Sequence, residues 1–240
     1  MWSICKKELS QFFSSLTGLI AIIIFLLVNG FVLFVFRNNI LEFGYATLEQ
    51  FFSFAPWVLL FLAAAITMRS FADEFRGGTY EILRTRPLSS WQIVSGKFMG
   101  SFVVALIALI PTLVYYVTIN SLAATTGIDA GAAAGSYIGL LFIIALFTSI
   151  GICVSSFTTN AVVSFLITLV CCSLFYFGFT AFSQLPLFEG MAAYLIEMIG
   201  IESHYQNISR GIVDTRDVIY FLSLIFFFLL ITRKNLEKKQ

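Results

Sequence analysis

Between Arg69 and Lys97 the sequence gathers Arg69, Asp73, Glu74, Arg76, Glu81, Arg84, Arg86 and Lys97. Acids and bases interleaved in this way suit ion pairing, inside the segment or with a partner surface, rather than the making of bonds. Exposed pairs contribute only about 0–1 kcal/mol, so their use is orientation more than strength. Groups for covalent chemistry are missing. Gly96-Lys97-Phe98 lacks both the first glycine and the hydroxyl residue of a phosphate-binding loop, so the chain is not expected to hydrolyse ATP alone. His204 is the single histidine and has no second His or Cys near it in sequence. It is expected at a surface or interface, with no metal or haem site. No HExxH motif and no intramembrane pair of aspartates points to a protease, and no nucleophile–base pair to another membrane enzyme. Cys5, Cys153, Cys171 and Cys172 do not make a disulfide scaffold, and the last two read as small apolar packing.

The elements that must carry this segment follow from composition. Of 240 residues, 59% are hydrophobic and only 11% charged, and 28 are Phe. A soluble domain carries roughly twice that charged fraction. Disorder is excluded, and a net charge of +1 supplies no patch for nucleic acid. A membrane helix needs about 20 apolar residues to cross about 30 Å of hydrocarbon. Six runs approach this: 16–36, 51–68, 98–119, 137–157, 161–182 and 218–232, the last short enough to begin a turn earlier. None alternates apolar with polar residues as barrel strands do, so the reading is an all-α integral membrane protein with six crossings in one transmembrane domain, 1–240. The first run is too long for a secretory signal and is followed by Arg37-Asn38-Asn39 rather than a small-residue cleavage site.

Six crossings place both termini on one side. That side would hold Lys6, Lys7, Arg69, Arg76, Arg84, Arg86, Lys97, Arg233, Lys234, Lys238 and Lys239, against Arg37, Arg210 and Arg216 opposite. Positive charge favours the cytoplasm, so both ends are expected inside. Residues 1–15 form an amphipathic helix, with Trp2, Cys5, Leu9, Phe12, Phe13 and Leu16 on one face and Ser3, Lys7, Ser10, Gln11 and Ser14 on the other. Such a helix lies flat at the lipid boundary.

Residues 69–76 are expected to continue the second crossing helically until Gly77-Gly78 ends it. Thr79 then starts a short helix over 80–86, which Pro87 stops. Ser89 with Gln92 matches a capping box at the entry to the third crossing. On the far side, 185–202 is apolar yet too short and acidic to span. Leu187, Met191, Tyr194, Leu195 and Met198 share one face, with Glu189 and Glu197 opposite, as in a helix dipping into or resting on the outer leaflet, or a re-entrant hairpin at Pro186. Glycines at 127, 131, 135 and 139, and at 96 and 100, have the spacing that lets membrane helices approach closely; Gly96, Gly100, Gly135 and Gly139 carry most weight. Pro56 and Pro111 should bend their crossings, and Asn29 suits a hydrogen bond between helices.

The run Glu74-Phe75-Arg76-Gly77-Gly78-Thr79-Tyr80-Glu81-Ile82-Leu83-Arg84-Thr85-Arg86-Pro87, with Gly96-Lys97-Phe98 on the next helix, resembles the signature of ABC-2 type transporter permeases, E-x-R-x-G-T-x-E-x-L-x-T-x-P followed by G-K-F. Residues 209–218 are similar to that family's entry into its last helix, and the resemblance runs over essentially the whole chain. Within the family, the start Met1-Trp2-Ser3-Ile4-Cys5-Lys6-Lys7-Glu8-Leu9 is most similar to gliding-motility-associated permease subunits. The resemblance implies a permease subunit of a bacterial inner membrane, exporting with ATP and Mg²⁺ held on a separate ATP-binding subunit and paired with a second permease. It makes 71–88 the coupling helices, with Phe71, Glu74, Phe75, Arg76, Thr79, Glu81, Leu83, Arg84, Thr85 and Pro87 toward the partner. Trp2, Leu9, Phe12 and Phe13 would lie on a connecting helix in membrane lipid, and Leu187, Met191, Tyr194 and Met198 on an extracytoplasmic gate over 187–209. A membrane scaffold for a surface motility or secretion machine, moving no substrate, is the second reading.

Overall fold

A computed structural model of the protein describes residues 1–36, 47–84, 88–123, 128–186 and 190–238. Arg37, Thr85, Arg86, Pro87, Gly127, Leu187, Glu189 and Lys239 fall outside this set, as does the side chain of Arg84. The described chain is helical: α1 (Trp2–Ser14), α2 (Leu16–Phe34), α3 (Glu49–Thr67), α4 (Ala72–Arg76), α5 (Thr79–Arg84), α6 (Ser90–Leu109), α7 (Leu113–Leu122), α8 (Ala130–Phe157), α9 (Ala161–Ser173), α10 (Phe179–Ser183), α11 (Met191–Glu197), α12 (Ile201–Ser209) and α13 (Thr215–Lys238). Among the described residues six spans are long and apolar enough to cross a membrane: Leu16–Phe34, Glu49–Arg76, Ser90–Leu122, Ala130–Phe157, Ala161–Ser183 and Thr215–Lys238. The six crossings are those expected; the first stops at Phe34, two residues short of the apolar run, and the other five have longer ends. Apolar runs mark only the lipid-buried part of a helix, whereas capped polar turns extend it. The third span starts at Ser90 because Ser89 and Gln92 form the expected capping box. Asp129 caps α8 well before the apolar run, accepting from the N–H groups of Gly131 and Ala132. Asp214 Oδ1 accepts from the Arg216 N–H at the head of α13, and this bond holds its carboxyl below the usual range.

α8 is the central post, packed on α3, α6, α9, α12 and α13. Leu140, Ile143, Leu146, Phe147 and Ile152 on it are fully enclosed. Lipid offers apolar side chains no less comfort than protein does, so close approach of backbones decides packing here. A Cβ at Gly151 would fall on the Thr67 side chain, which joins α8 to α3 at van der Waals distance. The glycines singled out from spacing also make close approaches, but to different partners. Gly96 lies against Ile4 and Gly100 against Glu8, so both receive α1 rather than another crossing. Gly135 and Gly139 lie against Ile208 and Tyr205, so both receive α12.

Other expectations are corrected. Thr67 ends α3 and a turn over 68–71 precedes α4, so 69–76 is not one continued helix. Gly77 does cap α4, and Gly78 takes the positive φ of 67° that glycine tolerates. Thr79 is the first residue inside α5 and its hydroxyl donates back to the Glu74 carbonyl, so it is not the cap. Asn29 donates to Phe25 within its own helix, and the bond between helices comes instead from Tyr115, whose hydroxyl donates to the Leu26 carbonyl. Pro111 breaks the third span into α6 and α7 through a 3₁₀ turn, Ile110–Thr112, whereas Pro56 sits inside an unbroken α3. The fifth span contains a π-helical turn, Leu174–Gly178, that nothing in the composition announces. The apolar stretch near the far end forms two short helices, α11 and α12, rather than one.

Candidate functional site

At the end of the bundle that carries both termini, the charged segment closes on Lys97. This lysine sits two turns into α6, and 1% of its side chain is exposed. Its Nζ donates to Glu8 Oε1 at 2.7 Å and to the Ser70 carbonyl at 2.6 Å, and lies 3.1 Å from Glu74 Oε1. Two of its protons go to the Glu8 and Ser70 oxygens as hydrogen bonds, and Glu74 adds an ion pair. The charge also lies 4.9 Å from the centre of the Phe71 ring, within reach of a cation–π attraction. Glu74 Oε1 additionally accepts from Lys7 Nζ at 2.8 Å. One buried cation thereby ties α1, the turn after α3, α4 and α6 together. Burial, with the Glu8 carboxylate near, pushes the Cys5 thiol up and keeps it protonated.

Ser155 completes the anchor from α8. Its Oγ accepts from the N–H groups of Phe71 and Ala72, at 3.0 and 3.2 Å. These are unpaired donors at the start of α4, so a cap comes here from a different helix. Phe71 stacks on Phe75, and Phe75 meets Tyr80 edge-on, which carries the packing into α5. Beyond these rings the segment turns outward. Arg76, Gly77, Gly78, Thr79 and Glu81 are exposed, and among the described residues neither Arg76 nor Glu81 has an ion pair.

The segment therefore has an interior half and a surface half. Phe71 and Glu74, expected to face a partner, are interior, because Lys97 would otherwise be an unpaired buried charge. Phe75 and Leu83 are half-buried, while Arg76, Thr79 and Glu81 remain at the surface. Sequence reasoning missed Glu8, Lys7, Ser70 and Ser155 as members of this cluster. A signal existed for Glu8, which falls one turn after Ile4 and Cys5 on the side of α1 that turns inward. On that helix Trp2 and Phe13 point away, and Leu9 and Phe12 are half-buried.

The family profile described as "ABC-2 family transporter protein" matches residues 39–232. The chain belongs to the ABC-2 transporter family. A comparison with curated proteins finds no match. ABC-2 chains are membrane components of transporters and work with an ATP-binding subunit, so this chain is a permease subunit of that kind. The matched span takes in Glu74 and Lys97 but not α1, so the ion pair of Lys97 with Glu8 links the ABC-2 region to a helix before it.

The opposite end of this ABC-2 chain carries the residues expected at a gate. Met191, Tyr194 and Met198 are all exposed, on or just beyond α11, which buries none of its residues. α12 instead packs on α8, and Tyr205 donates to the Phe52 carbonyl of α3 at 2.9 Å. Burial pushes the Tyr205 phenol up, so it stays a neutral donor. His204, expected at a surface or interface, lies at an interface between elements. Its Nδ1 lies 2.6 Å from Asp217 Oδ1, its Nε2 lies 2.9 Å from the Met198 carbonyl, and its ring stacks on Tyr220 at 3.9 Å. Both ring nitrogens face oxygen atoms, the Asp217 carboxylate on one side and the Met198 carbonyl on the other. The imidazole thus clasps the junction of α11 and α12 to the head of α13. Replacing His204 with Phe keeps the stacked ring but strands the buried Asp217 carboxylate. The expected cost is about 1–3 kcal/mol, read as faster hydrogen exchange and proteolysis over 191–209. Unchanged protection there would show that the clasp holds nothing.

Proposed function

We propose that this ABC-2 permease subunit couples ATP hydrolysis on a separate nucleotide-binding subunit to export, with both termini and residues 69–97 on the cytoplasmic side of a bacterial inner membrane. Mg²⁺ and ATP sit on the partner, a second permease completes the pathway, and α1 rests in the lipid boundary through Trp2 and Phe13. The likeness of residues 1–9 to gliding-motility-associated permeases supports service in that process. One observation carries the coupling role: the exposed tip around Arg76–Glu81 is joined through stacked rings to Lys97, which holds α1 and α6 at once. A push on the tip then moves a crossing and the boundary helix as one body, and two discrete packings of such a body make a switch.

Because the interior half of the segment is needed for folding, the test belongs on the surface half. Arg76→Glu combined with Glu81→Lys should abolish co-purification with the ATP-binding subunit while leaving the melting midpoint and membrane insertion unchanged. Retained co-purification would remove the tip from the docking surface and the coupling role with it.

A further inference from the structure

At the end of the bundle away from the termini, a cavity of about 710 Å³ opens between the heads of α3 and α8, the flank of α12 and the π turn of the fifth span. That volume is in the usual range for a site that encloses a small molecule. Its rim carries three carboxylates, Glu49, Asp129 and Glu202, against the single guanidinium of Arg210. None of the three carboxylates has an ion-pair partner among the described residues. A concave site with an excess of one sign, walled by low-dielectric side chains, concentrates ions of the other sign. Deeper in, Phe52 and Tyr205 are buried and supply apolar ring surface.

Tyr176 is the second, independent observation. It lies in the π turn, is 4% exposed, and lines this cavity. Tyr115, Tyr137, Tyr205 and Tyr220 each donate their hydroxyl to a backbone carbonyl. The Tyr176 hydroxyl makes no hydrogen bond among the described residues, although its ring is held by Phe147 and Phe177. That hydroxyl is open to the cavity rather than sealed in the core, and π turns recur where a helix must re-aim a side chain at a functional site. Here the turn presents a phenol to open space.

We propose that the cavity binds an organic cation: an ammonium group on a compact, largely apolar body. The ammonium sits among the Glu49 and Glu202 carboxylates and the Tyr176 hydroxyl oxygen, which accepts one of its protons, and the body lies on the Phe52 and Tyr205 rings. Ring faces add attraction for the positive charge. This inference involves none of the residues that couple to the ATP-binding subunit and stands apart from the function proposed above.

The test is calorimetric titration of the full chain in nanodiscs of zwitterionic lipid, using three probes of one shape and different charge: 2-phenylethylammonium, 2-phenylethanol and 3-phenylpropionate. The ammonium should bind at least about tenfold tighter than the neutral and anionic probes, and should weaken as salt is raised. Glu202→Gln should weaken it about tenfold and Tyr176→Phe about threefold to tenfold, in line with a charged and a neutral hydrogen bond. Neither should lower the melting midpoint, since one side chain is on the rim and the other loses only an unpaired hydroxyl. Equal affinity for the three probes, no measurable binding, or ammonium binding indifferent to both substitutions overturns the proposal.

Discussion

Lys97→Met should destabilise the protein by about 3–5 kcal/mol, the usual consequence of removing one member of a buried ionic group. The side chain has nearly the same length, so packing volume is kept while charge is lost. Two carboxylates then face each other with no cation between them: Glu8 and Glu74, whose side chains are only 13% and 10% exposed. The Ser70 carbonyl loses its donor as well. Lys7 still pairs with Glu74, but at 51% side-chain exposure it does so from the solvent side, where water weakens its field. Thermal unfolding of the detergent-purified chain measures the loss. Adding Glu8→Gln and Glu74→Gln to Lys97→Met removes the stranded charges and should recover much of the difference. Three variants of equal stability would mean that the cluster is solvated and bears no load.

Gly135→Val should be the most damaging substitution at the other end, costing about 1–3 kcal/mol or more by overpacking. An added Cβ there would stand 2.5 Å from the Ile208 carbonyl oxygen and 2.8 Å from the Gly211 Cα. Both are main-chain atoms, so no side chain can rotate aside, and α12 itself must lift from α8. Lifting it withdraws the Tyr205 hydroxyl from Phe52 and the Ser136 hydroxyl from the Ser209 carbonyl. Gly131→Ala is the control: its Cβ would meet only Asp129 Oδ1, at 3.3 Å. A lower melting midpoint for the first and a near-native one for the second is the expected pair of results. Equal midpoints would place the close approach elsewhere.

The six crossings were legible because lipid imposes one requirement, a long apolar run, and such a run is visible residue by residue. The Ser89–Gln92 box and the Gly77-Gly78 stop were legible because capping is local. Arg76 and Glu81 lie at the surface. What spacing could not supply was the partner across the fold. Glu8 and Lys97 lie 89 residues apart, and nothing near either names the other. The same gap explains the glycines, whose spacing announces a close neighbour without saying that it is a helix lying along the surface. It also explains Phe71 and Glu74, since a signature of alternating charges does not distinguish the acid turned inward from those turned outward. The π turn was invisible because Leu174–Gly178 is as apolar as its flanks.

The two pairs of glycines have a mechanical consequence. A short helix is seated on each pair: α1 on Gly96 and Gly100 toward one end of the bundle, α12 on Gly135 and Gly139 toward the other. Close main-chain seats resist sliding, so shear between neighbouring rods falls where the backbone ladder is already interrupted, at the tight turn at Pro111 and the widened one at Tyr176.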